Sequence, residues 1–305
     1  MIFFLVVLAF LVAGIILLYI NQRKLIEKDE PVTETMVFVE GMNYSTPVPI
    51  PDEVSFAGEL VPAHIFYVRE QLDRELTVNT YWHSSSLLML KRATRWFPLI
   101  EPILQQQGIP DDFKYLALIE SGLLNVVSPS GAAGYWQFLE KTGKEYGLII
   151  TKEVDERYHA EKATRAACDY LNKSYAKFGN WTLVAASYNA GQKRIEDAVS
   201  KQYSRDFYEL HVNDETSRYI YRILAMKYIC RNPILYGFKL EPGDYLKPHN
   251  LQFIPVTQTI SDLPAFARSH KISYRMLKEL NPWLRSDKLT VKRGERFEIA
   301  LPGRH

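Results

Sequence analysis

The apolar positions of the chain change their spacing along its length, and each change marks a separate piece. Residues 2–20 form an unbroken run of apolar or small side chains, close to the roughly 20 residues that a bilayer-spanning helix needs. No Lys or Arg precedes the run, and no clear small-x-small cleavage site stands before Asn21. The segment therefore reads as a transmembrane anchor or uncleaved signal rather than a removed leader. Leu11-Val12-Ala13-Gly14 opens like a lipidation signal, but Ile15 stands where the acylated Cys belongs. Arg23, Lys24 and Lys28 come after the run, and taken alone that charge bias leaves the body of the chain on the cytoplasmic side. Residues 21–55 lose all periodicity. They are charged first and then Pro-rich at Thr46-Pro47-Val48-Pro49-Ile50-Pro51-Asp52, which is linker material.

From about 65 to 231 the spacing is helical, with no alternating strand pattern. Residues 56–108 make an N-terminal helical extension of two helices. The first covers about 65–76. The second runs from a Ser84-Ser85-Ser86 cap through Leu87, Leu88, Leu90, Ala93, Trp96 and Phe97, and Pro98 and Pro102 bend or divide the stretch that leads to Gly108. Residues 109–235 form the helical core. Pro110 suits a first helical turn, Asp111 and Asp112 sit at the positive end of the helix dipole, and the apolar stretch from Phe113 predicts a buried helix that Gly122 stops. A small-residue loop covers 128–134. Residues 160–178 form an amphipathic helix with Ala163, Ala166, Ala167, Tyr170, Leu171 and Tyr175 inward, ended by Gly179-Asn180. Further helices cover 181–190, closed by Gly191, and 215–230, stopped by Asn232-Pro233.

The tail reads differently. After a Pro- and Gly-containing linker at 236–250, residues 251–256 predict a strand. Ser261 and Asp262 cap a helix to 269, Ser273 caps another to 280, Asn281-Pro282 turns the chain, and 296–301 closes with a strand. The fold class is therefore mainly α, with a small C-terminal strand–helix–helix–strand (βααβ) module over 251–305.

Composition narrows the chemistry. The 37 basic and 35 acidic residues nearly cancel, so nothing supports a nucleic-acid partner. The seven His and two Cys have no metal-ligand spacing, so neither a metal nor another cofactor is expected. Cys168 and Cys230 are either paired or two free buried thiols.

One residue breaks its pattern. Phe113, Leu116, Ala117 and Glu120 share one face of the apolar helix, so a carboxylate occupies a position that the spacing assigns to an apolar side chain. Such a group is costly unless paired, hydrogen-bonded or protonated. It is either a structural Glu, or a carboxyl whose raised pKa suits a general acid.

Four segments then fall in order: Glu120-Ser121; Gly131-Ala132-Ala133-Gly134-Tyr135-Trp136-Gln137-Phe138; Ala185-Ala186-Ser187-Tyr188-Asn189-Ala190-Gly191; and Glu215-Thr216-Ser217-Arg218-Tyr219-Ile220. Together, over residues 87–231, they resemble the lytic murein transglycosylases with a lysozyme-like domain, and look closest to the membrane-bound type D branch. The tail is similar to a LysM module. It carries Leu280-Asn281-Pro282, but has Thr257-Gln258-Thr259-Ile260 in place of the usual Gly-Asp-Thr opening, so it is either a glycan-binding unit or a degenerate packing module.

The resemblance implies a lysozyme-like catalytic domain acting on peptidoglycan glycan strands. Glu120 would be the single acid/base, and the muramic acid C6 hydroxyl the nucleophile, leaving 1,6-anhydro ends without a second carboxylate. Ser121, Gly131, Gly134, Gln137, Tyr188, Asn189 and Tyr219 would bind substrate. The glycines would let backbone approach a sugar, Gln137 would either bond the substrate or fix its loop, and Tyr188 would either orient Glu120, stabilise developing charge, or pack on the core at its helix end. Asn189 would hold an acetamido group, Ser121 would support the cleft or cap the helix, and Glu215 would cap its own helix. Trp136 and Phe138 are core residues more readily than stacking platforms. The resemblance also implies a cell-envelope location, membrane-anchored through the N-terminal segment and facing the wall, an orientation that the charges after residue 20 do not support. A water-using muramidase and a catalytically dead wall-binding scaffold are the competing readings.

Overall fold

Phe113–Ser121 is apolar on almost every side, and the helical body is laid around it. The computed structural model of the protein describes residues 46–303. The expected anchor at 2–20 and most of the expected linker at 21–55 lie outside the described residues. Among the described residues no helix is long and apolar enough to cross a membrane.

The chain opens with a two-stranded hairpin, β1 (Ser55–Phe56) and β2 (Glu59–Leu60). Eight helices come next: α1 (Phe66–Tyr81), α2 (His83–Gln106), α3 (Phe113–Ser121), α4 (Glu140–Glu145), α5 (Ala160–Phe178), α6 (Trp181–Ala190), α7 (Gln192–Gln202) and α8 (Asp214–Arg231). The tail consists of β3 (Leu251–Val256), α9 (Leu263–Ser269), α10 (Tyr274–Leu280) and β4 (Phe297–Pro302). The mainly α architecture with a βααβ tail is thus as the periodicity predicts. In the body α1 packs along α8, α2 against α5, and α6 against α5 and α8. Phe113, Leu116, Ala117 and Leu118 of α3 are sealed in the middle.

Capping residues set several boundaries. The His159, Asn180 and Asn213 side chains accept from the first-turn N–H groups of α5, α6 and α8, so Asn213, and not Glu215, caps α8. Gly122 and Gly179 end α3 and α5 in the left-handed conformation, where a side chain is disfavoured.

Several expectations need correction. Pro110–Asp112 form a turn before α3 rather than its first α-helical turn, because their carbonyls accept from the N–H groups three residues on, those of Phe113, Lys114 and Tyr115. α2 begins at His83, ahead of the serines, and Ser86 is buried with its hydroxyl donating to the Asn79 carbonyl. Pro98 and Pro102 sit inside a continuous α2. Each costs about 3 kcal/mol in a helix interior, which burial of Ile100, Ile103 and Leu104 offsets at about 1.5–3 kcal/mol per side chain. Tyr175 is exposed rather than inward, stacked on Trp181 with ring centroids 4.0 Å apart. The end of the Pro-rich stretch is also part of the body, since Val48, Val54 and Phe56 are buried in the main core.

The buried ion pair joins the hairpin, α3 and α8. Lys227 of α8 donates its ammonium to Asp112 Oδ2 at 2.7 Å and to the Ser55 carbonyl at 2.6 Å. The same Asp112 oxygen accepts the Ala57 N–H at 2.7 Å. Lys227 is 2% exposed and Asp112 6%, and burial holds the Lys227 ammonium below its ordinary pKa. Cys168 and Cys230 are free thiols, each pushed up to about 12 by burial.

The C-terminal module is docked on the body. β3 and β4 pair antiparallel, from Leu251 opposite Pro302 to Val256 opposite Phe297. Asn281 is fully buried and staples the unit: its amide donates to the Leu277 and Ala300 carbonyls, and its Oδ1 accepts the Ala300 N–H. The Asp155 N–H donates to the Trp283 carbonyl at 2.9 Å and the Arg285 N–H to the Glu153 carbonyl at 2.7 Å. Glu153 also accepts from the Thr290 N–H and pairs with Lys288. Ala133, Val154 and Tyr158 of the body share one apolar cluster with the module's Leu263, Leu277 and Leu284. The 236–250 segment lies along α2, where Thr94 and Arg95 donate to the Leu246 and Lys247 carbonyls.

Removing one member of a buried pair leaves the other uncompensated, at a cost of about 3–5 kcal/mol. Asp112→Ala should lose that much stability in urea unfolding monitored by circular dichroism. A loss below about 1 kcal/mol, the range of exposed pairs, would show that the pair is not desolvated in solution.

Candidate active site

Glu120 is the last carboxylate-bearing position of α3, one residue before its C-terminus. The buried helix carries it to the edge of the core, where it is half-buried. The Tyr219 hydroxyl of α8 donates directly to Glu120 Oε1. Burial pushes the Glu120 carboxyl above the usual range, with Glu215 adding to the rise, while the Tyr219 hydrogen bond and Arg222 act against it. The net direction is upward. Arg222 also donates to the Ile119 carbonyl at 3.4 Å, and Arg92 of α2 donates to the Gly122 carbonyl, placing two cations at the negative end of α3.

Tyr219 is 2% exposed. Burial and the neighbouring Glu120 raise its phenol well above 10, and the same two causes act on Tyr188. Both phenols therefore remain protonated donors. They do different jobs. Of the alternatives for Tyr188, its contacts fit packing on the core: it donates to the Trp136 carbonyl at 2.7 Å and its ring lies against Trp136, Phe138 and Tyr170, while the hydrogen bond to Glu120 belongs to Tyr219.

The remaining predicted residues fall into two groups. Asn189 sits at the end of α6 with Thr216 donating to its Oδ1 at 3.1 Å and its own Nδ2 donating to Glu215 Oε1 at 3.3 Å. Its amide is thereby held in one orientation, bonded to the carboxylate whose charge acts on Glu120. The loop residues form the second group. Ser121 is buried, accepts the Leu123 N–H, and donates to the Tyr135 carbonyl at 2.8 Å. It ties the end of α3 to the glycine loop and is no surface for a sugar.

Gly134 is required by packing against the protein itself. Its φ is +77°, and a Cβ there would stand 1.8 Å from the Arg157 carbonyl oxygen. Gly131, at φ +81°, has open space around its Cβ position. Gln137 donates its amide to the Val126 and Gly134 carbonyls at 3.1 and 2.8 Å, so the loop-fixing reading holds for its NH2 group. Trp136 and Phe138 are buried, and Trp136 Nε1 donates to Thr164; both are core residues.

Sequence reasoning missed Arg222 and Arg157. Arg222 stands three positions after Tyr219, which puts both on one face of α8, so that signal was present. Arg157 lies outside every α-helix of the body and carries no periodicity. Among the described residues no cluster of His, Cys, Asp or Glu could hold a metal ion.

Residues 99–211 match the family described as the transglycosylase SLT domain, and residues 252–305 match the soluble lytic transglycosylase C-terminal LysM-like domain. The SLT match thus precedes the LysM-like match along the chain. It is similar to the membrane-bound lytic murein transglycosylase D of Escherichia coli K12, at 31% identity over 183 residues. That match covers 58% of this chain and 40% of the relative, so the chain spans less than half the length of that relative. Among solved structures it is similar to an inactive mutant of the lytic transglycosylase Slt from Pseudomonas aeruginosa (20% identity, TM-score 0.38, 51% of this chain and 26% of that one). It is also similar to the 70 kDa soluble lytic transglycosylase of Escherichia coli (18% identity, TM-score 0.39, 58% and 33%). Glu120, the glycine loop and Tyr188-Asn189 lie inside the SLT match. Tyr219 lies beyond it, although its hydroxyl is the one on Glu120.

The Tyr219 bond stabilises the ionised carboxylate. Tyr219→Phe should therefore raise the Glu120 pKa further, read by carbon-13 titration of its carboxyl. An unchanged or lower value would show that the phenol does not govern that group.

Proposed function

We propose that the protein is a peptidoglycan lytic transglycosylase that cleaves the β-1,4 bond between N-acetylmuramic acid and N-acetylglucosamine, with Glu120 as its single acid/base. The observation that carries this reading is the Glu120 carboxyl itself, raised by burial and held through one oxygen by a phenol. Its other oxygen, Oε2, is the one to protonate the glycosidic oxygen as the bond to the anomeric carbon breaks. The carboxylate so formed takes the proton of the muramic acid C6 hydroxyl, whose oxygen closes on the anomeric carbon to give the 1,6-anhydro ring. The proton balance is zero and no water is consumed. The nucleophile is part of the substrate, so effective molarity replaces a bound water. Asn189, fixed by Thr216 and Glu215, suits an acetamido group, and Oε1 of Gln137 can accept from the glycan.

The body over 109–235 is the catalytic domain in this reading, with residues 56–108 as its extension. The module over 251–305 is the wall-facing partner, and residues 2–20 are the membrane anchor in the cell envelope. Glu215 favours one second reading, a water-using muramidase, because it brings another carboxylate into the field of Glu120. Its exposure and its bond to Asn189 support a binding role instead.

Digestion of purified peptidoglycan with mass analysis of the products tests the proposal. The wild type should release fragments lighter by one water than muramidase products, and Glu120→Gln should lose about 10²- to 10⁴-fold in rate. Water-containing products would support the muramidase, and equal release by wild type and mutant would remove Glu120 from the chemistry. Activity should fall as pH rises through the raised Glu120 pKa, where the acid form is lost. The same sign applies to folding. A carboxyl with a raised folded pKa loses stability as pH rises through that value, so Glu120→Gln should be at least as stable as wild type at neutral pH.

A further inference from the structure

Resting on that reading of the site, we infer that Arg157 is a positioning residue that latches the glycine loop, with Asp155 holding the latch and the C-terminal module bracing it. The Arg157 side chain is 10% exposed and that of Asp155 9%. Arg157 Nε donates to Asp155 Oδ1 at 3.0 Å and its terminal nitrogen to Oδ2 at 2.7 Å, the two-pronged geometry that only a guanidinium provides. The remaining nitrogen donates to the Gly131 carbonyl at 3.0 Å and the Phe138 carbonyl at 3.1 Å. One side chain therefore pins both ends of the loop that carries Gln137.

The loop needs pinning. Gln137 has φ +49°, in the left-handed region that a non-glycine residue occupies only when its surroundings over-determine it. The Arg157 main chain supplies the second constraint, since its carbonyl fills the space beside Gly134. Asp155 is itself fixed from the other side, where its N–H donates to the Trp283 carbonyl of the module. The chain of contacts runs from Trp283 through Asp155 and Arg157 to the loop, and none of these bonds is made to Glu120. Arg157 thus acts on substrate binding and leaves the acid/base step alone.

The test uses the full chain, with soluble glycan fragments as substrate and hydrogen–deuterium exchange as a second readout. Arg157→Lys keeps the charge but cannot form the fork. It should raise KM about tenfold, the scale of lost charge-assisted hydrogen bonds, with kcat within about twofold and the pH profile unmoved. Exchange should quicken at 128–138 while α5 keeps its protection. Asp155→Asn, which leaves the loop carbonyl bonds in place, should raise KM less. An unchanged KM, a matching fall in kcat, or exchange that rises equally in α5 overturns the latch. A wild type that releases no glycan overturns the reading of the site and, with it, the role of Arg157; a working wild type with an unaltered KM in Arg157→Lys overturns the latch alone.

Discussion

The ion pair between Asp112 and Lys227 is the contact on which the register of the site depends. α3 and α8 run antiparallel and touch through polar groups at two levels. Asp112 meets Lys227 at one level, and Glu120 meets Tyr219 at the other. Each pair of positions is eight residues apart on its own segment, a rise of about 12 Å. Fixing the first contact therefore fixes the second. Buried ionic contacts are poor sources of stability but good specifiers of alignment, and here the alignment places the Tyr219 phenol on the Glu120 carboxyl. The hairpin at 55–60 exists in part to complete this joint, since the Ser55 carbonyl and Ala57 N–H satisfy the atoms that the pair leaves over.

The helices were legible where local chemistry decides them. α9 and α10 have their caps written as Asp262 and Ser273, and each begins where those residues stand. Legibility failed where tertiary contacts overrode local rules. Pro98 and Pro102 look like breaks until the burial of Ile100, Ile103 and Leu104 is known. Pro110 looks like an α-helical first turn until its carbonyl and those of the two aspartates are seen to be bonded three residues on.

The site was legible in its carboxyl and its loop, and not in the assignment of partners. Glu120 stood out as a charge on an apolar face. Tyr188 and Tyr219 are both tyrosines near helix ends, and sequence cannot say which phenol reaches the carboxyl. Gly134 has a comparable ambiguity. A glycine in a cleft loop is equally compatible with a sugar or with neighbouring backbone, and only the Arg157 carbonyl distinguishes them. Arg157 was invisible because the contacts that join it to the loop run to main-chain carbonyls, which leave no trace in side-chain pattern.

The docking of the C-terminal module has a consequence for how the chain would meet an extended polymer of the kind proposed as its substrate. A module on a slack tether samples a volume and lets its enzyme forage within it. This module is joined to the body by main-chain bonds at Trp283 and Arg285 and by a shared apolar cluster, and its connecting segment is strapped along α2. In the proposed reading, a glycan gripped by the module would be held at a constant offset from Glu120, so that the two parts would act as a ruler rather than as a leash.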